Sequence, residues 1–420
     1  MTDTATASLQ AIASEMILVE QTRALPPLVN APFERGLSSP GINPFLGWNP
    51  GPHAVRSYML TNAVLDGEFR GLIDSTGFIR GTGYLLPDDC LSKLRIDENH
   101  LVRVGGMPTV VVGCNLAYGN YFHWVTQALP AIDIALHRDG RTRPLKVALP
   151  RLNFWQQDSL DILGCDMQDR ITIEDAGKQY AFENIEFSDV LIGSASFCRS
   201  DSTRRTYSRL RRAVGPATAR PSKLYVARTD TETRRMRNED GVIAELERRG
   251  FEIIAPGLLS FSEQARLFKG ADLVIGVHGA GMTNIVFCEP GTFVYEIVPA
   301  HFANACFCNL AHTCALRYWA DAFTDEGQGL PNLRDWQSDT GMVIRRVDEI
   351  ETIMLALRDE PLRQPASAQY PPRDDREVLL TAAIGFSGTI QEIIGAYKDG
   401  RWIPGHSEGP IVPLSWRDFP

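Results

Sequence analysis

The chain has 420 residues, of which 44% are hydrophobic and 22% are charged, and its formal net charge is −9. These values are ordinary for a soluble globular protein, and the length makes two domains the default expectation. No apolar run approaches the roughly 20 residues of a membrane-spanning helix. The first residues, which include Asp3 and Glu15, lack the basic and apolar regions of a signal peptide. We therefore expect a cytoplasmic protein, with low-affinity peripheral contact at the inner membrane left open.

Eight cysteines are spread along the chain without forming a dense disulfide framework. They crowd only in segment 301–314, HFANACFCNLAHTC, together with two histidines. Structural zinc sites usually contain cysteine pairs separated by two to four residues, and this segment has none. The sequence therefore favours buried thiols over a metal site.

Positive charge is concentrated in one segment. Between Arg199 and Arg237 there are twelve Lys or Arg residues and three acidic residues. Tyr207 is the one aromatic residue there before Tyr225, so the segment lacks the stacking platforms of a nucleic-acid-binding surface. We expect a solvated helix face with a small polyphosphate pocket, and no nucleic-acid partner.

The first hundred residues are rich in turns. Segment 38–53, SSPGINPFLGWNPGPH, has Pro or Gly at seven of its sixteen positions and cannot form a regular helix or a long central strand. Segment 69–87 predicts short strands joined by Gly turns. Strands and helices then alternate, beginning with a strand at Thr109–Val112 and a helix that Asn120 can cap and that continues to about His137.

The alternation continues with a strand at 145–150, a helix at 153–164 that ends at Gly164, and a strand at 170–174. This βαβαβ order predicts a parallel sheet with helices on both faces. Segment 213–222, AVGPATARPS, has the composition of a linker. A second series follows, with strands at 223–228, 251–256, 271–277 and 293–298 and helices at 238–250, 260–270 and 283–288.

We therefore predict an α/β fold with two tandem open domains. Residues 1–215 form the first domain with its irregular start, residues 216–359 form the second, and residues 360–420 are an extension of unknown role. Ligands of open α/β sheets bind beyond the carboxyl ends of the strands, which here places the binding site in a cleft between the domains.

A Gly-rich loop follows the apolar strand at Leu273–Val277. Gly279 and Gly281 allow a sharp turn and a close approach to a ligand. A helix that starts near Met282 would point its unpaired N–H groups at the loop. Strand, loop and helix together favour a bound phosphate, although GVHGAG lacks the spacing of the dinucleotide fingerprint.

Three motifs resemble glycosyltransferase family 61, a group common in polysaccharide biosynthesis. The first is the loop with HGAGMTN and Glu296, and the second is NYFHWVTQALP at Asn120–Pro130. The third is KLYVARTDTETRRMRNED at 223–240, followed by GFEIIAP and FSEQARLF. The resemblance extends from the region of Gly119 through Tyr318.

The resemblance implies an inverting, metal-independent glycosyltransferase with two Rossmann-like domains facing a cleft, the GT-B-like architecture. It would transfer a sugar from a nucleotide-diphosphate donor to a glycan or lipid-linked glycan acceptor. The nucleotide sugar is a substrate, and no cofactor is expected. The donor-binding residues, with Glu296 on the ribose hydroxyls, would be Arg228, Arg235, His278, Gly279, Ala280, Gly281, Thr283, Asn284 and Glu296.

The resemblance also implies catalytic roles for His123 and Gln127 and acceptor-side roles for Asn120 and Trp124. Family members tend to carry an acidic residue where this chain has Gln127, and an amide cannot accept the proton of an acceptor hydroxyl. Two interpretations follow. Either His123 is the general base, with an unperturbed pKa of about 6.5, or the protein is a weakened or non-catalytic relative that binds nucleotide sugars or glycans. Judged from the residues alone, a packing role for His123 and a core position for Trp124 explain the motif equally well.

Overall fold

The computed structural model describes residues 9–22, 44–45, 52–84, 91–106, 109–138, 144–174, 177–193, 200–218, 222–229, 234–323 and 335–357. It also gives the backbone of two short strands, Ala396–Lys398 and Arg401–Ile403, which pair antiparallel. Most of segment 38–53 and the rest of the predicted extension 360–420 lie outside these residues. None of the helices in the described ranges is long and apolar enough to cross a membrane.

Nine strands of the described residues form the first sheet. They are β1 (Glu15–Gln21), β2 (Ala54–Asp66), β3 (Leu72–Asp74), β4 (Gly77–Phe78), β5 (Leu101–Val104), β6 (Val110–Val112), β7 (Lys146–Leu149), β8 (Arg170–Thr172) and β9 (Gln179–Ser188). The order is β4–β3–β2–β9–β6–β7–β8, with β1 paired to β2 and β5 paired to β9. The predicted strands at 109–112, 145–150 and 170–174 are confirmed as β6, β7 and β8.

The long strand β2 makes this sheet mixed. It runs antiparallel to β9, from the pair Ser57–Ser188 to the pair Asp66–Gln179, and also antiparallel to β1 and β3. Only β5 to β9 are mutually parallel where they pair. The parallel arrangement predicted for the strands at 109–112, 145–150 and 170–174 is therefore confirmed for β6, β7 and β8, whereas the sheet as a whole is mixed because β2 runs antiparallel to β9.

Three helices of nine residues or more lie between residues 121 and 213 of the described ranges. Helix α1 is α-helical at Tyr121–His123, π-helical at Trp124–Ala128 and α-helical again at Leu129–His137. Helix α2 (Phe154–Leu163) has a capping box and ends at Gly164, as predicted. Helix α3 (Asp201–Ala213) carries five of the twelve basic residues of the basic segment and exposes Arg205 and Arg212, which confirms the solvated helix face. The polyphosphate ligand of this face stays a prediction.

The second sheet has five strands within the described ranges, namely β10 (Lys223–Val226), β11 (Glu252–Ile254), β12 (Leu273–Val277), β13 (Phe293–Pro299) and β14 (Arg317–Phe323). Their order is β11–β10–β12–β13–β14, and all neighbours are parallel. The four predicted strands are confirmed, and β14 is additional. The helices of this half are α4 (Glu239–Arg248), α5 (Phe261–Lys269), α6 (Cys306–Thr313) and α7 (Thr340–Leu357). Short 3-10 helices lie at Met167–Asp169, Asp189–Ile192, Pro256–Leu258, Ala280–Phe287 and Ala300–Phe302.

One hydrophobic cluster continues through both halves, from Val111 beside α1 to residues of β12, β13 and β14. Aromatic rings cross between the halves: Tyr121 packs 6.3 Å from Phe261, and Phe122 packs 5.8 Å from Phe307. The fold is α/β, as predicted. Because residues on both sides of position 215 share this core, the division into domains at that position stays a prediction.

Candidate active site

Asn120 begins helix α1, and a π-helical segment follows directly. The Asn120 side chain accepts a hydrogen bond from the Phe122 backbone N–H at 2.9 Å, which confirms it as the helix cap. In the π segment the Leu129 N–H bonds to the Trp124 carbonyl. Pro130 has no N–H to donate to the Thr126 carbonyl four residues earlier, so a regular α-helix cannot be completed here. Insertions of this kind often occur at functional sites.

Trp124 lies in the core. Its side chain is fully buried, and its indole N–H donates to Ser159 Oγ at 2.8 Å. The ring also packs against Trp155. Trp124 is therefore a core residue in this arrangement, and the acceptor-side role expected for it stays a prediction. The core position that the residues alone also allowed is the one that the structure adopts.

His123 and Gln127 are brought together, as their spacing indicates, but Gln127 is fully buried. His123 Nδ1 lies 3.3 Å from Gln127 Oε1 and 3.3 Å from the Tyr84 hydroxyl. Gln127 Nε2 donates to the Tyr84 hydroxyl at 3.0 Å, and Asn115 Nδ2 donates to Gln127 Oε1 at 2.6 Å. Gln127 therefore supports His123 from behind instead of facing a ligand.

Tyr84 and Asn115 were not among the predicted site residues. Asn115 comes shortly after the buried strand β6, at its carboxyl end, and a polar residue at that place is a usable sequence signal. Tyr84 carries no such signal, because it reaches His123 from a distant turn-rich segment.

Burial changes the protonation of His123. Loss of solvation lowers its pKa to about 4, and the contact with Gln127 offsets this only in part. The value of about 6.5 expected from the sequence is therefore wrong for the folded protein. The imidazole is neutral, and able to accept a proton, throughout the range from weakly acidic to basic pH.

The Gly loop joins β12 to a helix, as predicted near Met282, and this helix is of the 3-10 type and spans Ala280–Phe287. Gly279 has an extended backbone with φ of 172°, and Gly281 is not among the glycines with positive φ. A left-handed conformation is thus not what requires these glycines. A Cβ at position 279 would lie 1.6 Å from Arg228 Nη1, so the requirement is close approach.

Two arginines converge on this loop. Arg228 follows β10 and is 9% exposed, and its Nη1 donates to the His278 carbonyl at 3.1 Å. The Arg234 guanidinium stacks 4.3 Å above the Phe302 ring. Burial and the neighbouring charge of Arg228 lower the pKa of Arg234 to about 10. With this pKa Arg234 is still charged at neutral pH. Because two cations lie close together here, binding of a negatively charged ligand beside them is favourable.

The donor-binding role expected for Arg235 stays a prediction, and its neighbour Arg234 is the residue whose guanidinium lies near the His278 loop. Arg235 is exposed, and its backbone N–H donates to Asp335. Met236 is buried and forms a parallel bridge with Trp336. The Arg234 backbone is left-handed, with φ of 52°, so strand alternation does not set the direction of its side chain. That side chain is partly buried over the Phe302 ring, whereas the Arg235 side chain is exposed.

Glu296 lies behind His278. It is fully buried, its Oε1 lies 2.5 Å from His278 Nδ1, and its Oε2 accepts a hydrogen bond from the Tyr318 hydroxyl. Both oxygens are therefore engaged by protein groups, and the ribose contact expected for Glu296 stays a prediction. Burial lowers the pKa of His278, and Glu296 opposes this effect while Arg234 and Arg228 add to it.

The next loop residues have separate environments. Asn284 is fully buried; its Oδ1 accepts from the Tyr121 hydroxyl at 2.6 Å, and its Nδ2 donates to Gln264 at 2.7 Å. It therefore links the two halves and is not directed at a ligand. Thr283 is also buried, and its hydroxyl has no hydrogen-bond partner within the described part of the chain. Ala280 is half-buried where the loop enters the 3-10 helix.

The cysteines of the described ranges are buried free thiols, as predicted: Cys114, Cys165, Cys288, Cys306, Cys308 and Cys314. Burial raises the pKa of each of them, to about 12 for Cys314. Within those ranges no group of three His, Cys, Asp or Glu side chains is placed to hold a metal ion.

Known proteins share this region. The family model of glycosyltransferase 61 matches residues 121–295. An alpha-1,3-arabinosyltransferase of Oryza sativa subsp. japonica is 26% identical over 247 residues, which is 50% of this chain and 40% of that protein. An EGF domain-specific O-linked N-acetylglucosamine transferase of Drosophila melanogaster is 27% identical over 169 residues, 37% of this chain and 32% of that protein.

A beta-1,2-xylosyltransferase of Arabidopsis thaliana is 37% identical over 62 residues, 15% of this chain and 12% of that protein. The chain thus spans less than half the length of these curated relatives. The matched region contains helix α1, Arg228, the Gly loop and the first three residues of β13. Residues 121–295 of this chain thus match the glycosyltransferase family 61 model, in the region that carries the three motifs.

Proposed function

We propose that the protein is an inverting, metal-independent glycosyltransferase that uses a nucleotide-diphosphate sugar. The observation that carries the proposal is the convergence of Arg228 and Arg234 on the Gly279 loop, at the carboxyl ends of the neighbouring strands β10 and β12. The family of the matched region, whose relatives are named for transfer of arabinose, N-acetylglucosamine and xylose, supports the same reaction class.

Two guanidinium groups suit a diphosphate better than two amines would, since each can donate two parallel hydrogen bonds to phosphate oxygens. Leaving-group departure builds negative charge on the diphosphate, and fixed cations in a partly desolvated site stabilise that charge. Arg228 is already positioned by its bond to the His278 carbonyl. The Thr283 hydroxyl, buried without a partner in the described residues, is available as a further donor.

In this mechanism the acceptor hydroxyl attacks the anomeric carbon as the bond to the diphosphate breaks, which inverts the configuration. His123 takes the hydroxyl proton. The neutral state of its imidazole at physiological pH supports this role, because only the unprotonated ring is a base.

Calorimetric titration with UDP, GDP, CMP and their sugar conjugates tests donor binding. Absence of binding at millimolar nucleotide would refute the proposal. Arg234→Met should weaken binding and Arg235→Met should not, which makes the two neighbouring positions a matched pair. Titration and turnover assays in the presence and absence of a chelator test metal independence.

A second candidate is a non-catalytic protein that binds nucleotide sugars or glycans, and Gln127 is the observation that favours it. Gln127→Glu restores the acid that is usual in the family. If the wild type transfers or hydrolyses donor sugar as fast as this variant, the non-catalytic interpretation is refuted. Strong activity in the variant alone would support it.

We extend the proposal to a GT-B-like arrangement, with residues 216–359 as the nucleotide-sugar domain. The fully parallel second sheet supports this, whereas the first sheet is mixed. Participation in surface or capsular polysaccharide biosynthesis at the cytoplasmic side of the membrane, on a glycan or lipid-linked acceptor, is likewise proposed. Cell fractionation and analysis of surface glycans in a deletion strain test these points.

A further inference from the structure

Backbone groups determine which atoms donate and which accept in the hydrogen bonds around Gln127. The Ala117 N–H donates to Asn115 Oδ1 at 3.0 Å, and Asn115 Nδ2 donates to the Leu191 carbonyl at 2.6 Å. A backbone N–H can only donate and a carbonyl can only accept. These two backbone groups therefore fix which end of the Asn115 amide is oxygen and which is nitrogen.

Asn115 in turn fixes Gln127. The Asn115 nitrogen also lies 2.6 Å from the Gln127 amide, and this atom of Gln127 must be an acceptor, which is Oε1. The Gln127 nitrogen then faces the Tyr84 hydroxyl at 3.0 Å and donates to it. The reversed amide would place two NH₂ groups against each other, so the orientation of Gln127 does not depend on an arbitrary assignment.

The last step concerns His123. Gln127 Oε1 lies 3.3 Å from His123 Nδ1, and an unprotonated Nδ1 would place two lone pairs against each other. A protonated Nδ1 donates to Oε1, with the Tyr84 oxygen as a second acceptor at 3.3 Å. The proton of a neutral imidazole can occupy only one nitrogen, so Nε2 then carries the lone pair.

We infer that Gln127 is a positioning residue that holds His123 in the Nδ1–H tautomer, with Nε2 as the proton acceptor. The amide replaces the carboxylate as an acceptor for Nδ1–H without adding a negative charge to the buried site. Gln127 then has a defined task in an active enzyme and is not the mark of a lost one. The tautomer stands on the hydrogen bonds alone, whereas its catalytic consequence rests on the proposed function.

The tautomer can be measured without substrate. In protein labelled with ¹⁵N-histidine, long-range ¹H–¹⁵N correlations distinguish the protonated from the bare ring nitrogen, and His123→Asn assigns the signals. We expect a protonated Nδ1 and a bare Nε2 at neutral pH. A wild-type spectrum with Nε2 protonated would overturn the inference, even if the protein proves to be an active transferase.

Three variants separate positioning from a general structural role. Gln127→Glu keeps a hydrogen-bond acceptor at this position and should keep His123 Nδ1 protonated. Gln127→Met removes the acceptor and allows the Tyr84 hydroxyl to donate to Nδ1. In Gln127→Met we expect Nε2 to become protonated and kcat to fall about 10²–10⁴-fold, with the donor KM unchanged. Exposed Gln157→Met is the matched control and should change neither signal nor rate.

Tyr84→Phe keeps the inference testable if Gln127→Met does not fold. If Gln127 determines the tautomer of His123, the Nδ1–H tautomer persists when the Tyr84 hydroxyl is removed. A switch of tautomer in Tyr84→Phe would mean that Tyr84 determines the tautomer of His123. An unchanged tautomer in folded Gln127→Met would mean that Gln127 does not determine it. Either result would overturn the proposal. If the tautomer behaves as expected but no nucleotide binds, the proposed function fails and the tautomer assignment stands.

Discussion

Gly279→Ala should disable donor binding by displacing an arginine. The new Cβ would lie 1.6 Å from Arg228 Nη1 and 2.8 Å from Cζ, so the guanidinium must withdraw by about 2 Å to reach ordinary contact. That shift breaks the bond to the His278 carbonyl and moves Arg228 out of reach of a phosphate. Losing charge-assisted hydrogen bonds costs about 1.5–3 kcal/mol, which corresponds to a roughly 10- to 150-fold weaker Kd.

Calorimetry with the nucleoside diphosphate that binds best measures the effect. Gly241→Ala is the matched control, because Gly241 lies in the exposed helix α4 with open space around its Cβ position. The mechanism itself is tested in the Arg228→Ala background, where Gly279→Ala should have little further effect since the displaced group is gone. Fully additive losses, or wild-type affinity in Gly279→Ala, would refute the reasoning.

Four further predictions follow from the site. Burial lowers the pKa of His123 to about 4. The value of kcat should therefore be level between pH 5 and 8 and fall only as the pH drops towards 4, where the ring becomes protonated. A rise in kcat centred near pH 6.5 would contradict the burial argument. His123→Ala should reduce turnover about 10²–10⁴-fold with nucleotide affinity retained in calorimetry, and lost affinity would assign His123 to the donor instead. Arg234→Met should weaken nucleotide binding about 10-fold or more while exposed Arg235→Met changes it less than twofold, and equal effects at both positions would contradict the inward placement of Arg234. Tyr121→Phe removes the hydroxyl that donates to the Asn284 oxygen at 2.6 Å. The free energy of unfolding, measured by urea titration, should fall by about 1–3 kcal/mol. An unchanged midpoint of urea unfolding would show that this hydrogen bond contributes no stability.

The second sheet was predictable because its signals are local. Each of its first four strands is a short apolar run, and the helix between β11 and β12 starts at Ser260 with the Ser–Glu capping box that its sequence indicates. Parallel strands buried on both faces need no partner information to be recognised. The 3-10 form of segment Ala280–Phe287 was not predictable in this way, since a short apolar run fits either helix type.

The first sheet was less predictable because its centre depends on contacts distant in sequence. Strand β2 pairs with β9 more than a hundred residues later in the chain, and the sequence of neither strand indicates which strand it pairs with. The same limit applies to the site. Tyr84 and Asn115 join His123 through tertiary packing, and the pKa of His123 follows from that burial, whereas the motif specified only that His123 and Gln127 would meet.

The shared hydrophobic cluster restricts how this protein could be recombined with its relatives. Exchange of a donor-binding half is a natural route to a new sugar specificity, but a junction near residue 215 would cut between surfaces that depend on each other. The incoming half would have to offer Tyr121 a ring such as Phe261 and an acceptor such as Asn284, and Phe122 a partner such as Phe307. A chimera of this protein is therefore better designed as a loop graft at segment 278–281 than as a swap of whole halves.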